Sequence, residues 1–239
     1  MKPCLKKLSD SVYLRNAIDN LGWVDLGDQI VVIDALEEAE LGSVVLEMIQ
    51  STSHQPVTTV INTHRHSDHM ALNPFFEAQG AKVISFHDLD GCEQIIEGSN
   101  GLSIHLITLA KTHSNKDILV FVPEKSILFC GDVFGWGLVP WEGRLRQEIY
   151  ENICQTYELM IALNAKVIVP GHGPTCSVEE LKTWLTYFKT LVKIQLETPE
   201  LLAEIPPPEK MKDWWRFVEW KHQFTLDKVN TFKSNESVL

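Results

Sequence analysis

Apolar positions in the first half of the chain switch between strand-like and helix-like spacing. Residues 29–34 form an apolar, β-branched run typical of a buried strand, whereas the apolar residues of 38–49 recur on one face of a helix. A turn signal at 19–22 separates the first two strands. The pattern predicts strands at 11–17, 29–34, 57–62 and 82–86, and helices at 38–49, 70–79 and 89–97.

The second half is richer in closely connected strands. The pattern predicts strands at 102–109, 118–123, 126–130 and 165–170, a hairpin turn at 123–125 and a helix at 148–163. Ser177 and Glu180 form a capping box, which predicts a helix running to residue 197. After a triple proline at 206–208, a last helix is predicted at 211–224. Its apolar residues cover more than one face, so we expect it to pack on its own domain or to form a homo-oligomer contact.

Composition narrows the class of protein. The 239 residues, 44% of them hydrophobic, are sufficient for one domain with a substantial core. A formal charge of −11 would repel nucleic acid over most of the surface, so no nucleic-acid partner is expected. The absence of a long apolar run or of an N-terminal targeting pattern predicts a cytoplasmic protein without a membrane span. Five widely spaced cysteines predict reduced thiols rather than a disulfide framework.

Candidate chemistry is concentrated where the strand at 57–62 ends. Residues 63–69 include four side chains of the kind that bind metal ions: His64, His66, Asp68 and His69. Imidazoles packed this closely repel one another when protonated and gain little when neutral, unless something binds them. The segment therefore predicts a metal site rather than a solvated polar loop.

Three further candidate ligands follow later strands: His113, Asp132 and His172. The glycines on both sides of His172 allow the backbone to turn sharply and approach other groups closely. Each residue alone has an ordinary structural explanation, because a strand-end Asp often forms a turn and a lone His is usually a satisfied polar residue. Their order after residues 63–69 favours one shared metal site.

Together, Thr63-His64-x-His66-x-Asp68-His69, His113, Gly131-Asp132 and Gly171-His172-Gly173 resemble the metallo-β-lactamase fold superfamily, with the ligand pattern of its glyoxalase II branch. The resemblance covers roughly residues 11–175. It implies an α/β fold, a four-layer αββα sandwich at 1–176, followed by a C-terminal helical extension at 177–239 packed on the same domain. It also implies two metal ions: His64, His66 and His113 on the first, Asp68, His69 and His172 on the second, and Asp132 between them.

The chain departs from this family outside the ligands. Lys111-Thr112 stands where relatives usually have a glycine before the third histidine, and Asp34-Ala35-Leu36 replaces the common Asp-Thr-Gly or Asp-Ser-Gly. Gly135 stands where some lactone-hydrolysing relatives have a tyrosine, which counts against a lactonase. The basic glutathione-binding residues of the glyoxalase II branch have no match in 177–239.

The resemblance implies a dinuclear metal-dependent hydrolase that uses a metal-bridging hydroxide to cleave a small ester, thioester or related acyl substrate. Zinc is the expected metal, with manganese or iron as alternatives. Asp68 would orient the water and accept its proton, while Asp34 and Thr63 are candidates to hydrogen-bond the ligands. Two other activities stay open: a phosphodiesterase or nuclease on the same two metals, and a mononuclear iron persulfide dioxygenase using only His64, His113 and Asp132.

The segment 133–146, directly after Asp132, is rich in glycine, aromatic and basic residues. Its place beside a ligand suggests a cleft wall or a lid, with a packed surface loop as the alternative. For a small-molecule substrate, we expect apolar contacts from Trp136 and Trp141 and an anion contact from Arg144.

Overall fold

Two β-sheets form the centre of the computed structural model of the protein, which describes residues 2–89 and 93–233. Within these residues, the strands of the first sheet follow chain order: β1 (Cys4–Lys7), β2 (Val12–Asn16), β3 (Leu21–Asp25), β4 (Ile30–Ile33), β5 (Val57–Ile61) and β6 (Lys82–Ile84). The strands of the second sheet are β7 (Gln94–Glu97), β8 (Ser103–Thr108), β9 (Ile118–Val122), β10 (Ile127–Gly131) and β11 (Val167–Pro170), arranged in the order β11-β10-β9-β8-β7.

Helices cover the outer faces of both sheets. α1 (Gly42–Gln50) and α2 (Asn73–Ala78) pack on the first sheet, and α3 (Gln147–Ala162) and α4 (Val178–Glu197) pack on the second. Two shorter helices follow, α5 (Glu209–Lys212) and α6 (Glu219–Asn230). The layers run helix, sheet, sheet, helix, which confirms the αββα sandwich.

Side-chain alternation explains why the central strands are almost wholly apolar. In β4, Val31 and Ile33 face the cluster between the two sheets, while Ile30 and Val32 face the cluster beneath α1 and α2. All four side chains are buried, because a strand covered on both faces has no solvated side.

Three strands were not predicted from the sequence pattern: β1, β3 and β7. β1 is a short, largely exposed edge strand, so its four residues carry little periodicity. β3 begins at Leu21, inside the supposed turn at 19–22. A Cβ added to Gly22 would collide with the Phe129 ring of the other sheet, so packing between the sheets, and not a turn, requires glycine there.

The predicted helix at 89–97 is wrong where the structure describes it. Gln94–Glu97 forms β7, which pairs antiparallel with β8, while 90–92 lie outside the described residues. Pairing places Ile96 against the inter-sheet cluster and leaves Ile95 exposed. Contacts with the neighbouring strand decide the conformation of so short a segment.

The continuous helix predicted at 211–224 is also wrong. α5 ends at Lys212, and α6 begins only at Glu219. Between them Arg216 adopts a φ of 48°, which an α-helix does not accommodate. Trp214 packs on the cluster beneath α3 and α4, whereas Trp220 is 57% exposed.

The C-terminal helices share a core with the second sheet. As predicted, Ser177 begins α4 with a capping box, and Glu180 accepts its backbone N–H at 2.9 Å. Trp184 of α4 and Val229 of α6 lie in the same apolar cluster as Leu128 of β10. The domain boundary between residues 176 and 177 stays a prediction.

No described helix has the length and apolar character that a membrane span requires. Cys4, Cys130, Cys154 and Cys176 are free thiols, and Cys92 lies outside the described residues. Burial raises the pKa of the Cys130 and Cys176 thiols, which keeps both in the unreactive protonated form.

We expect Trp184→Ala to lower the free energy of unfolding by about 3 kcal/mol, measured by urea denaturation. The side chain is fully buried and stacks between Tyr157 and Phe188, with ring centroids 4.4 and 4.8 Å away. Its indole N–H is buried without a hydrogen-bond partner among the described residues, so truncation breaks no hydrogen bond there and the loss of stability stays at the low end of the usual range. The exposed Trp220→Ala control should change stability by less than about 0.5 kcal/mol. Equal losses in the two variants would contradict this packing.

Candidate metal centre

Strand ends bring all seven candidate ligands to one edge of the sandwich. Residues 63–69 follow β5, His113 lies between β8 and β9, Asp132 directly follows β10, and His172 follows β11. β4 and β5 run parallel, as do β10 and β11, so the loops after each pair emerge side by side.

The seven side chains form two groups, with the same division that the ligand motifs implied. Within each group the ligand atoms lie within 4.8 Å of one another: His64, His66 and His113 in one group, and Asp68, His69, Asp132 and His172 in the other. Asp132 faces both groups. Its Oδ2 lies 3.8 Å from His113 Nε2 and 3.2 Å from His172 Nε2.

The Asp34 carboxylate orients two of these histidines. It accepts hydrogen bonds from the Thr63 N–H at 2.8 Å, from the Thr63 hydroxyl at 3.0 Å and from His69 Nδ1 at 3.0 Å. His69 Nδ1 is therefore engaged by Asp34, and Nε2 is the ring nitrogen that faces the site. Because the Thr63 hydroxyl donates to Asp34, His64 Nδ1 at 3.1 Å must donate to the Thr63 oxygen, which turns the His64 Nε2 lone pair inward as well.

His113 and His172 are held in a similar way. His113 Nδ1 donates to the Pro140 carbonyl at 2.8 Å, and His172 Nδ1 donates to Asp19 at 2.9 Å. Both residues present Nε2 to the site. His113 Nε2 lies 3.0 Å from His66 Nδ1. Two nitrogen lone pairs at this distance repel unless a proton or a cation lies between them.

Buried atoms without partners indicate what the site accommodates. His64 Nε2, His69 Nε2 and Asp132 Oδ1 are buried and have no hydrogen-bond partner among the described residues. Each such atom costs about 1–3 kcal/mol. Imidazole nitrogens and carboxylate oxygens suit zinc, manganese and iron, so the donor set fits divalent metal ions that would supply the missing partners.

Comparison with known proteins agrees with this architecture. Residues 20–106, from the start of the β3 region into β8, match the family model of the metallo-beta-lactamase superfamily. The solved metallo-beta-lactamase from Pontibacter korlensis superposes with a TM-score of 0.63 at 18% identity, covering 77% of this chain and 99% of its own. The DIM-1 metallo-beta-lactamase gives 0.66 at 15% identity, with 80% and 98% covered. TMB-1 gives 0.65 at 18% identity, with 78% and 96% covered.

Over residues 20–106 the chain is similar to the metallo-beta-lactamase superfamily, and the solved structures share its fold. This match agrees with the resemblance read from the ligand motifs over that part of the chain, and the activity of a metal-dependent hydrolase stays a prediction. The similar structures are 15 to 18% identical to the chain, so they establish its fold and not its substrate. The closer likeness to the glyoxalase II branch stays a prediction.

Two departures from the superfamily pattern have a local explanation. Thr112 is buried, and its hydroxyl lies 3.0 Å from that of Thr156, which ties the His113 loop to α3. Lys111 pairs with Glu148 at the start of α3, at 3.5 Å, so its charge is directed to that helix.

Glycines let the backbone pass directly behind the candidate ligands. A Cβ added to Gly171 would collide with Asp132 Oδ1. Gly131 has a φ of 50°, and a Cβ there would collide with the Thr63 hydroxyl. Close approach at these two positions therefore requires glycine.

The charged groups of the site shift one another's pKa values. Burial, reinforced by His69, lowers the pKa of His64 to about 2, so His64 is neutral at pH 7. Burial also opposes a charge on His69, but nearby carboxylates, Asp34 first, outweigh it and raise its pKa to about 10. The hydrogen bond from His172 lowers the pKa of Asp68 to about 2. Asp68 is therefore ionised, as a metal ligand must be.

A cavity of 510 Å³ opens beside the site. His113, Asp132 and His172 line one part of it, and most of the other lining residues are apolar. Trp136 lines the cavity, whereas Trp141 and Arg144 do not, so their predicted contacts with a substrate stay predictions.

The C-terminal part supplies cavity residues that sequence reasoning missed: Trp215, Arg216, Val218, Trp220 and Lys221. The sequence pattern assigned this stretch to one continuous helix. The turn at Arg216 redirects these side chains, and no proline or glycine marks it in the sequence.

We expect Asp34→Asn to weaken metal binding by about 10–100-fold, measured by competition with a chromophoric chelator. Asparagine keeps the shape but loses the charge, and only its carbonyl oxygen can accept the Thr63 and His69 hydrogen bonds. Asp10→Asn is the control, because the Asp10 side chain is 88% exposed and forms an ion pair with Lys7 at the surface. Metal affinity in Asp34→Asn equal to that of the control would contradict the orienting role.

Proposed function

We propose that the chain is a dinuclear metal-dependent hydrolase acting on a small ester, thioester or related acyl compound. The observation that carries this proposal is the pair of adjacent ligand groups, with Asp132 facing both, at the wall of a largely apolar cavity. A structural metal site would close around one ion with four protein ligands.

The proposed ligand sets are His64, His66 and His113 for the first ion, Asp68, His69 and His172 for the second, and Asp132 shared. Two divalent ions held there would lower the pKa of a water towards about 7 and polarise the carbonyl under attack. We propose zinc, although manganese or iron suits the same donors.

Asp68 is the residue best placed to handle the proton of the attacking water. Its carboxylate is 28% exposed, and its Oδ2 lies 3.2 Å from His172 Nε2 and 3.6 Å from His69 Nε2. A carboxylate at this position can orient the water and accept its proton. Asp19 accepts a hydrogen bond from His172 Nδ1 and so fixes the orientation of His172, whose Nε2 faces Asp68.

The cavity favours a small substrate with an apolar part. Its volume lies within the usual range for small-molecule sites. Trp136, Leu138 and Val139 form an apolar wall that excludes water from the reacting bond. The charge of −11 disfavours a nuclease, and the use of Asp68, His69 and His172 as a group disfavours the single-iron dioxygenase. The cytoplasmic location and a homo-oligomer through the C-terminal helices stay predictions.

Protein purified without added metal should contain about two zinc, manganese or iron ions per chain by elemental analysis. Removing them with a chelator should abolish hydrolysis of a panel of esters and thioesters, and adding them back should restore it. A single iron per chain together with oxygen consumption would instead identify the dioxygenase. Phosphodiester cleavage alone would identify the runner-up hydrolase.

We expect Asp68→Asn to lower kcat by about 10²–10⁴-fold without unfolding the protein. The amide can neither accept the proton nor carry the negative charge that faces the second ion. His54→Ala is a suitable control, because His54 is exposed and outside the site. Full activity and full metal content in Asp68→Asn would defeat the assignment.

A further inference from the structure

Lys221 is a buried cation in the wall of the cavity. It lies in the first turn of α6, is only 5% exposed and lines the cavity. Its ammonium donates to the Trp136 carbonyl at 3.2 Å and lies 5.6 Å from the centre of the Trp215 ring. Within residues 2–89 and 93–233, no carboxylate lies within ion-pair distance of it. A buried ammonium normally has such a partner.

A second cation stands beside it. Arg216 is exposed, lines the same cavity and stacks its guanidinium on the Trp215 ring at 5.0 Å. It too makes no ion pair with a described carboxylate. Its φ of 48° is a strained conformation for a residue with a side chain. Residues in such conformations occur in ordinary turns and are also concentrated at functional sites.

The unused hydrogen-bond donors are as informative as the charge. An ammonium has three donors, and Lys221 uses one of them on a described protein group. The buried indole N–H of Trp136, another cavity residue, also has no partner among the described groups. The donors that Lys221 leaves unused, together with the charge of Arg216, make this part of the wall positive.

A hydrogen bond that only held the loop at Trp136 in place would not need a charged donor such as Lys221. One turn later in α6, the Thr225 hydroxyl already donates a hydrogen bond to the Gly137 carbonyl of the same loop, at 3.0 Å. Burial, followed by repulsion from Arg216, lowers the pKa of Lys221 to about 8. The ammonium is therefore mostly protonated at pH 7 despite its unfavourable surroundings, which an anionic ligand would relieve.

We propose that Lys221 and Arg216 form an anion subsite, so that the substrate is an acyl compound with an apolar body and a carboxylate or phosphate group remote from the bond that is cleaved. The inference rests on the proposed function. His113, Asp132 and His172 at the metal centre would face the acyl bond, the tryptophan-lined wall would hold the apolar body, and the two cations would hold the anion.

The test compares two ligands that share one apolar body. 4-Phenylbutyrate and its neutral amide are titrated calorimetrically into the protein as purified, at low ionic strength, with metal content measured for every variant. Wild type should bind the carboxylate about tenfold more tightly than the amide, as expected for a hydrogen bond to a buried charge. 4-Phenylbutyl phosphate shows which anion the subsite favours.

Variants separate charge from packing. Lys221→Gln should lose most of the preference for the anion, Lys221→Arg should retain it, and Arg216→Gln should reduce it a few-fold because that charge is exposed. Thr225→Val is the matched control: it removes the neighbouring contact to the loop without changing charge, and it should keep the preference. If Lys221→Gln fails to fold, two other measurements test the subsite. The preference for the anion should be reduced in Arg216→Gln, and wild type should lose it at high salt.

Two results would overturn the subsite. One is that wild type shows no preference for the anion, including no binding at all. The other is a full preference in both glutamine variants, which would place the anion on the metal centre instead. Binding does not depend on turnover. A protein that prefers the anion through Lys221 but hydrolyses no acyl compound would refute the proposed function and leave the subsite standing.

Discussion

The candidate metal centre depends on the hydrogen bonds that the Asp34 carboxylate accepts at the end of β4. Three of them arrive from Thr63 and His69, so one side chain joins the end of β4 to the loop after β5. It fixes the tautomer of His69 directly and that of His64 through Thr63. Asp34 has a φ of 62°, a strained conformation that costs about 1–3 kcal/mol. The hydrogen bonds from Thr63 and His69 hold Asp34 in this conformation. Without them, His64 and His69 would lose their orientation.

Such a site lowers the stability of the fold. Buried nitrogen and oxygen atoms lack protein partners at His64, His69 and Asp132, while imidazoles and carboxylates crowd a single edge. Stability therefore has to come from elsewhere, namely the apolar clusters between the sheets and under the helices. Three of the seven buried side-chain nitrogen and oxygen atoms that lack a hydrogen-bond partner in the described part of the chain lie together at this site, and such a concentration of unsatisfied polar atoms is typical of a functional site.

The sequence predicted what local patterns encode. Residue type and spacing predict buried strands such as β4, which has apolar side chains on both faces. They also predict the ligand loops after β5, β10 and β11. β1 and β7 were missed because short edge strands are decided by pairing with a neighbour. The interruption of the predicted helix at Arg216 was missed because an arginine in the sequence does not indicate a left-handed backbone conformation. Lys221 was missed because a lysine in an acidic chain is ordinarily solvated, and only the packed α6 shows it buried.

The two kinds of group around the cavity come from different parts of the chain. The candidate ligands rest on strand ends of the sandwich, whereas Arg216 and Lys221 belong to the segment around the start of α6. The likeness to solved metallo-beta-lactamases lies in the sandwich fold and therefore says little about the substrate. In our proposal the charge of the substrate is instead selected by Arg216 and Lys221, which lie outside the ligand loops. Sequence change in this segment could alter the choice of substrate while the ligand geometry, held by Asp34 and the strand ends, stays the same.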